Sequence, residues 1–321
     1  MLDLPRKRFA HLPTPVEFME RLSDELGGPK LWIKRDDQTG LALGGNKTRK
    51  LEFLLAEAQA QEAGTLITAG AVQSNHCRQT AAAAARFGFD CILVLTGEPP
   101  QTFTGNILLD KLLGAELVWT SREQREKTLA QVFSECEQMG RHPYLIPYGG
   151  SNPIGAIAYT FALKELLDQG LIPEWIVFAS SSGGTQAGLV VGSRLYGYEG
   201  GILGISVDEP AEVLRIRIAD LACKTSELLG EEIIFLPEEI TVNAEYLGDG
   251  YGIIGAPEIE AIKLFAQTEG LLLDPVYTGR AAAGMIDLIR QDFFDDVANV
   301  LFWHTGGTPA LFADIYNHLG V

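Results

Sequence analysis

The chain has 321 residues, 46% hydrophobic and 21% charged, with a formal net charge of −17, which fits one large or two ordinary globular domains. The longest basic run is Arg6-Lys7-Arg8, so the cationic footprint of a nucleic-acid binder is missing. No stretch approaches the roughly 20 apolar residues of a membrane span, and none near the N-terminus has the apolar core of a signal peptide, so a cytoplasmic location is expected.

In chain order, the first clear helix pattern is "KTRKLEFLLAEAQAQEAG" from Lys47, with Leu51, Leu54 and Leu55 at apolar spacing and a glycine stop. "TLITAG", "CILVLTG", "AELVWT", "YLIPYGG", "EWIVFAS", "GILGISV" and "ANVLFWHTGG" then read as short apolar strands. Helix patterns stand between them, among them "CRQTAAAAARFG", "GNILLDKLLG", residues 121–139, "GAIAYTFALKELLDQG" and "GTQAGLVVGSRLYG". Strands that are apolar throughout and separated by helices predict an α/β fold, a parallel sheet covered on both faces. Such sheets bind ligands beyond the C-terminal ends of their strands. Several strands here end in polar, glycine-rich turns: "TAGAVQSNH", "YGGSNP", "ASSSGGTQAG" and "WHTGG".

Cys77, Cys91, Cys136 and Cys223 form no CxxC pair or His/Cys cluster, so no metal site or disulfide framework is expected and the cysteines read as buried thiols. Three segments carry more chemistry. In "ASSSGGTQAGL", a strand runs through Ser182, Gly183 and Gly184 into a helix near Thr185, which brings amide N–H groups together where an anion is favoured. The lysine of a P-loop and the GxGxxG of a dinucleotide site are both missing. In "GAVQSNHCRQT", Gln73, Ser74, Asn75 and His76 supply more polar groups than helix capping needs. In "LALGGNKTRK", Lys47 and Lys50 share a helix face behind Gly44 and Gly45. Read singly, each has a plainer meaning: a tight turn, a capped helix, a solvated first-turn lysine. As a set they supply an amine, an anion cup and polar ring contacts, which is what pyridoxal phosphate requires.

"GGNKTRKLE", "AVQSNHCRQTAA", "GGSNPIGAIAY", "SGGTQAGL", "DPVYTGRA" and "HTGG" occur in this order along nearly the whole chain. Together they resemble the D-cysteine desulfhydrase and 1-aminocyclopropane-1-carboxylate (ACC) deaminase family, pyridoxal-phosphate enzymes of the tryptophan synthase β type (fold type II). The resemblance implies two open, twisted, mostly parallel sheets with helices on both faces and the cofactor between them. It implies a large domain of residues 1–51 and 159–321, a small inserted domain of residues 52–158, and a homodimer acting on a small amino acid. Lys47 would be the Schiff-base lysine, with Asn46 beside it and Lys50 toward the phosphate. Asn75 would meet the ring hydroxyl, and Ser74, Asn75 and His76 would meet the substrate carboxylate. Ser182, Gly183, Gly184 and Thr185 would hold the phosphate, and Tyr251 and Tyr277 would be the two active-site tyrosines.

Two positions separate the branches. The deaminase pattern has glutamate and leucine where this chain has Thr278 and Thr305. A carboxylate at the pyridine nitrogen would strengthen the electron sink, and a threonine supplies no such charge. The resemblance therefore implies β-elimination, D-cysteine desulfhydration first, with ACC deamination and L-cysteate sulfo-lyase activity as alternatives. A non-catalytic pyridoxal-phosphate-binding module is the alternative from another class.

Overall fold

The computed structural model describes residues 4–317. In chain order the elements are β1 (Val16–Phe18), α1 (Glu20–Leu26), β2 (Lys30–Arg35), α2 (Asn46–Ala60), β3 (Thr65–Ala71), α3 (Asn75–Phe87), β4 (Asp90–Thr96), α4 (Asn106–Leu112) and β5 (Glu116–Thr120). They continue as α5 (Arg125–Gln138), β6 (Pro143–Leu145), α6 (Pro153–Asp168), β7 (Trp175–Ser180), α7 (Gly184–Tyr196), β8 (Gly201–Ser206) and α8 (Ala211–Leu228). The last are β9 (Val242–Asn243), α9 (Ala256–Glu269), α10 (Thr278–Arg290) and β10 (Asn299–His304).

Among the described residues the strands form two sheets. One has six strands in the order β1-β2-β10-β7-β8-β9, all parallel except the β1–β2 pair. The other has four, β5-β4-β3-β6, all parallel. The predicted α/β class and its two mostly parallel sheets are therefore present. All seven predicted strands form. The opening antiparallel pair and β9 were not predicted: β1 and β9 span three and two residues, too short for a periodic signal, and β2, KLWIKR, is broken by its charged residues.

The second sheet draws its strands from residues 65–145, inside a chain whose two ends build the first. Both expected domain boundaries, after residues 51 and 158, fall inside continuous helices, α2 and α6. These two helices pack on each other, so the sheets are joined through helical packing instead of loose linkers.

A buried polar network fixes α2. Arg49, on its second turn, donates from Nε to Asp36 Oδ2 at 2.9 Å and from Nη2 to Asp36 Oδ1 at 2.7 Å. Asp36 also accepts from Tyr159 of α6 at 2.5 Å and from Thr14 at 2.9 Å. Glu165 joins Lys34 of β2 to the same arginine. Such a network is costly to bury unless every member is satisfied, and a satisfied one specifies one geometry. Here it sets where α2 begins, and so where Lys47 stands.

Candidate active site

The N-termini of α2, α3, α7 and α10 converge with the C-terminal ends of β7 and β10. Between them lies a cleft with about 630 Å³ of open space, lined in part by Lys47, Ser74, Asn75, Ser182, Tyr277 and Thr305. Ala69 of β3 lines it from the second sheet. The cleft thus lies between the two sheets, at the strand ends where parallel α/β proteins bind ligands.

Lys47 faces this cleft. Among the described residues no carboxylate comes within ion-pair distance of its amine. Burial lowers its pKa to about 8, which makes the neutral, nucleophilic amine accessible near physiological pH. The glycines in front of it have a local reason. Gly45 takes φ +127°, and a Cβ there would run into Gln79 and come within 3.1 Å of the Thr305 carbonyl. That carbonyl accepts the Asn46 N–H at 2.9 Å, and Asn46 Nδ2 donates to Thr185 Oγ1 at 3.1 Å. Asn46 therefore ties the first turn of α2 to α7 and to the end of β10.

Lys50 is buried, one turn deeper. Among the described residues its amine meets neutral acceptors, the Gly149 carbonyl at 3.2 Å and the Ser151 hydroxyl at 3.3 Å. Burial and the Lys47 charge hold its pKa well below the ordinary lysine value. Ser151 Oγ also accepts from the Gly184 N–H at 3.2 Å and lies 2.8 Å from Ser182 Oγ. A Cβ on Gly184 would stand 2.5 Å from Ser151 Oγ and 2.9 Å from Lys50 Nζ. A buried amine with no carboxylate partner among the described residues, two hydroxyls and the amide end of α7 thus surround a space that only glycine leaves open. This is an anion cradle.

On the opposite wall Ser74 caps α3, its Oγ accepting from Cys77 N–H at 3.2 Å. The next residues, Asn75 and His76, line the cleft. Asn106, the first residue of α4, donates to Asn75 Oδ1 at 2.8 Å and to the Gln73 carbonyl at 2.9 Å. The Asn75 side chain is thereby oriented with its NH₂ left to donate. His76 bonds Thr68 Oγ1 through Nε2 at 2.8 Å. Burial first, then Lys47 and Lys50, hold its pKa well below the usual histidine value, so it is neutral.

Of the remaining expected residues, Gly183 and Thr185 line the cleft with Tyr277 and Thr305. Tyr251 lines an adjoining outer chamber and reaches the cleft through its hydroxyl, 2.7 Å from that of Tyr277. Thr278 stands apart. It is fully buried, is not among the cleft-lining residues, and exchanges hydrogen bonds with Asp274: its Oγ1 donates to Oδ1 and accepts from the Asp274 N–H, each at 2.7 Å. Cys77 is buried, with its thiol pushed up by that burial, and does not line the cleft either.

Sequence reasoning assigned no role to Ser151, Tyr148 or Asn106. The "YGGSNP" turn signalled the first two as a polar strand end. Asn106 gave no signal, because its partner Asn75 lies 31 positions away.

The fold and this cleft define an α/β protein that presents a nucleophilic amine and an anion cradle at one set of strand ends. The sequence profile of the pyridoxal-phosphate dependent enzymes matches residues 7–306. A D-cysteine desulfhydrase of Yersinia enterocolitica (serotype O:8 / biotype 1B, strain NCTC 13174 / 8081) is 42% identical over 98% of this chain and 97% of its own. A crystal structure of an ACC deaminase homologue, 38% identical, superposes with a TM-score of 0.89 over 97% of this chain and 94% of that one. A fungal L-serine ammonia-lyase from Rhizomucor miehei, 15% identical with a TM-score of 0.69 over 97% and 98% of the two chains, shares the fold. The chain belongs to the pyridoxal-phosphate-dependent enzymes. The cradle fits that cofactor, since Lys50 is a buried amine whose charged form a phosphate would stabilise and Lys47 is an amine that a carbonyl group would engage.

Proposed function

We propose that this chain is a carbon–sulfur lyase that eliminates the β-substituent of cysteine, of the D enantiomer, to give pyruvate, sulfide and ammonia. One observation carries the choice of reaction: among the described residues that line the cleft there is no acidic side chain. Bound pyridoxal phosphate supplies an electron sink conjugated to the substrate's Cα. Without a carboxylate to keep the pyridine protonated, that sink is a modest one. It serves a reaction in which thiolate leaves promptly from Cβ, and serves the opening of a cyclopropane poorly. The similarity to a D-cysteine desulfhydrase over nearly full length supports the same reading and the D configuration.

Lys47 would hold the cofactor through its amine in this proposal and, as a free amine, would take the substrate's Cα proton at its Nζ. Lys50, Ser182 and the amides of Gly183 and Gly184 hold the phosphate, with Thr185 beside them. Asn75 donates to the ring hydroxyl. Ser74 and the first amides of α3, which have no intrahelical acceptor, receive the substrate carboxylate together with His76. Thr305, which lines the cleft, would help to enclose the ring. Thr278 contributes by shaping the start of α10 through Asp274, not by direct contact. Tyr277 stands ready to give its proton to the departing sulfur, with Tyr251 behind it.

The expected large unit of residues 1–51 and 159–321, the small unit of 52–158 and the pairing of two copies are part of the same proposal. Sedimentation or light scattering tests the pairing. No helix among the described residues is long and apolar enough to cross a membrane, and a cytoplasmic site of action is proposed with the rest. The decisive experiment offers D-cysteine, L-cysteine, ACC and L-cysteate to the cofactor-loaded protein. Pyruvate and sulfide from D-cysteine, with no 2-oxobutyrate from ACC, are expected. Turnover of ACC or of cysteate in its place would overturn the reading.

A further inference from the structure

The chain enters α2 through a left-handed stretch of backbone. Leu41, Ala42 and Leu43 take φ of +44°, +50° and +68°, and Gly44 and Gly45 continue the run. That region is costly for L residues, and of these only the glycines escape the cost. Leu43 gains little by burial in exchange, since it is 64% exposed. A strained segment of this kind persists only where its surroundings hold it. The preceding turn holds one end: the Gly45 N–H is shared between the Asp36 carbonyl at 2.9 Å and Thr39 Oγ1 at 2.8 Å. A second hold comes from Arg78 of α3. It donates from Nη1 to the Ala42 carbonyl at 2.7 Å and from Nη2 to the Gly44 carbonyl at 3.0 Å.

Arg78 differs from Arg49 and Arg280, which are also buried but face the buried carboxylates of Asp36 and Glu258. Arg78 is fully buried and forms no ion pair among the described residues. Burial lowers its pKa only to about 10, so it is charged at neutral pH. A buried charge given over to two peptide carbonyls is a costly way to hold a fold, and both carbonyls belong to the segment that leads into Lys47. The same arginine stands on the first turn of α3, whose start presents Ser74 and Asn75 on the opposite wall of the cleft. One side chain therefore joins the two walls.

We propose that Arg78 is a positioning residue for Lys47: it holds the left-handed run in place and so fixes the amine against the wall that carries Ser74 and Asn75. This rests on Lys47 as the cofactor-holding residue of the lyase reading above. Without the guanidinium the carbonyls of Ala42 and Gly44 turn to water, the run relaxes toward ordinary φ, and the first turn of α2 loosens together with Lys47.

The test uses the cofactor-loaded enzyme. Arg78→Met removes both donors and breaks no ion pair. Hydrogen exchange at the Gly45 and Asn46 amides should quicken, while amides of residues 52–60, deeper in α2, stay protected. With the cysteine enantiomer that the enzyme consumes, kcat should fall by about tenfold or more and KM should change by less than about twofold, as expected for a displaced catalytic group. Retention of pyridoxal phosphate should weaken by about tenfold, the worth of a lost charged hydrogen bond. Arg78→Lys, which replaces a two-pronged donor by a point charge, should lie between. Combining Arg78→Met with Ala42→Gly and Leu43→Gly removes the strain that the arginine opposes, and should raise kcat again by about threefold or more and slow the exchange. An arginine that merely supports the core would not be relieved by glycine at those two positions. Full kcat and slow exchange without Arg78 would overturn the inference, as would a loosening spread over all of α2 and α3 that the glycines do not mend. If the wild-type enzyme yields no pyruvate from cysteine, the lyase reading falls, and the exchange of the two amides with the retention of pyridoxal phosphate still decides the role of Arg78.

Discussion

The phenol oxygens of Tyr251 and Tyr277 lie 2.7 Å apart, and of the two residues Tyr277 lines the inner cleft while Tyr251 lines the outer chamber. Burial holds both phenols well above the ordinary tyrosine pKa. Both are therefore protonated at neutral pH, and in the proposed reaction Tyr277 is the acid for the leaving group, with Tyr251 setting the direction of its hydroxyl.

The two should be unequal and coupled. Tyr277→Phe is expected to lower kcat by about 10²-fold or more, the usual worth of a positioned acid, and Tyr251→Phe by less. The double variant should be no slower than Tyr277→Phe alone, because the second hydroxyl acts through the first. Steady-state kinetics with cysteine decide the matter, and additive losses would show that the tyrosines act independently.

Lys47 carries a stability cost that its proposed role explains. Its folded pKa of about 8 lies below the ordinary 10.5. Between those values the unfolded chain holds a proton that the folded chain has released, so this group makes stability rise with pH across that window. Below pH 8 both states are protonated and the fold bears the full cost of the enclosed ammonium. Lys47→Met should therefore abolish turnover and still make the cofactor-free protein more stable at pH 7, by up to about 3 kcal/mol. The gain should shrink toward pH 10.5. Urea unfolding at pH 7 and pH 10 measures it, and equal stability of both proteins at pH 7 would contradict the account.

Gly184 offers a separate test of the anion cradle. A Cβ there would meet Ser151 Oγ at 2.5 Å and Lys50 Nζ at 2.9 Å, within the space a phosphate would occupy. Gly184→Ala should weaken retention of pyridoxal phosphate by at least about tenfold, since a displaced charged contact is worth 1.5–3 kcal/mol. Fluorescence titration of the cofactor-free protein gives the constant. Added inorganic phosphate should raise the melting temperature of the wild-type cofactor-free protein and leave that of Gly184→Ala nearly unchanged.

What was legible in the sequence follows from the range of the physics. The strands were readable because β3, β4, β7, β8 and β10 are buried on both faces and so are apolar along most of their length. Lys47, Ser74 and Gly184 were readable because helix starts write their chemistry into a few adjacent residues. Asn106 was not, since orienting Asn75 is a contact between two helix starts that only folding brings together. Thr278 was legible only through its place in a motif, and its local bonds to Asp274, four residues before it, were not. The outer chamber was invisible for a third reason: Arg122 and Arg125 come from one sheet's connections and Asp208 from the other's, and nothing local marks them as neighbours.

Arg280 links the stability of the fold to the position of Tyr251. It is buried, donates from Nε to Glu258 Oε1 at 2.9 Å, and reaches three loop carbonyls, Val207 at 2.8 Å, Gly250 at 3.1 Å and Ile253 at 2.8 Å. Gly250 and Ile253 flank Tyr251, so the guanidinium fixes the segment that carries the second phenol. Arg280→Met leaves Glu258 buried without its partner and should cost about 3–5 kcal/mol. That loss alone would not separate a structural role from a positioning one. Adding Glu258→Leu removes the stranded charge and should restore much of the stability, because a buried ion pair replaced by apolar groups is often near neutral. The three carbonyls still lack their donor in the double variant. Its kcat should therefore stay depressed, close to that of Tyr251→Phe, with KM little changed. A double variant that regains both stability and full kcat would mean that the Tyr251 segment holds its place without Arg280.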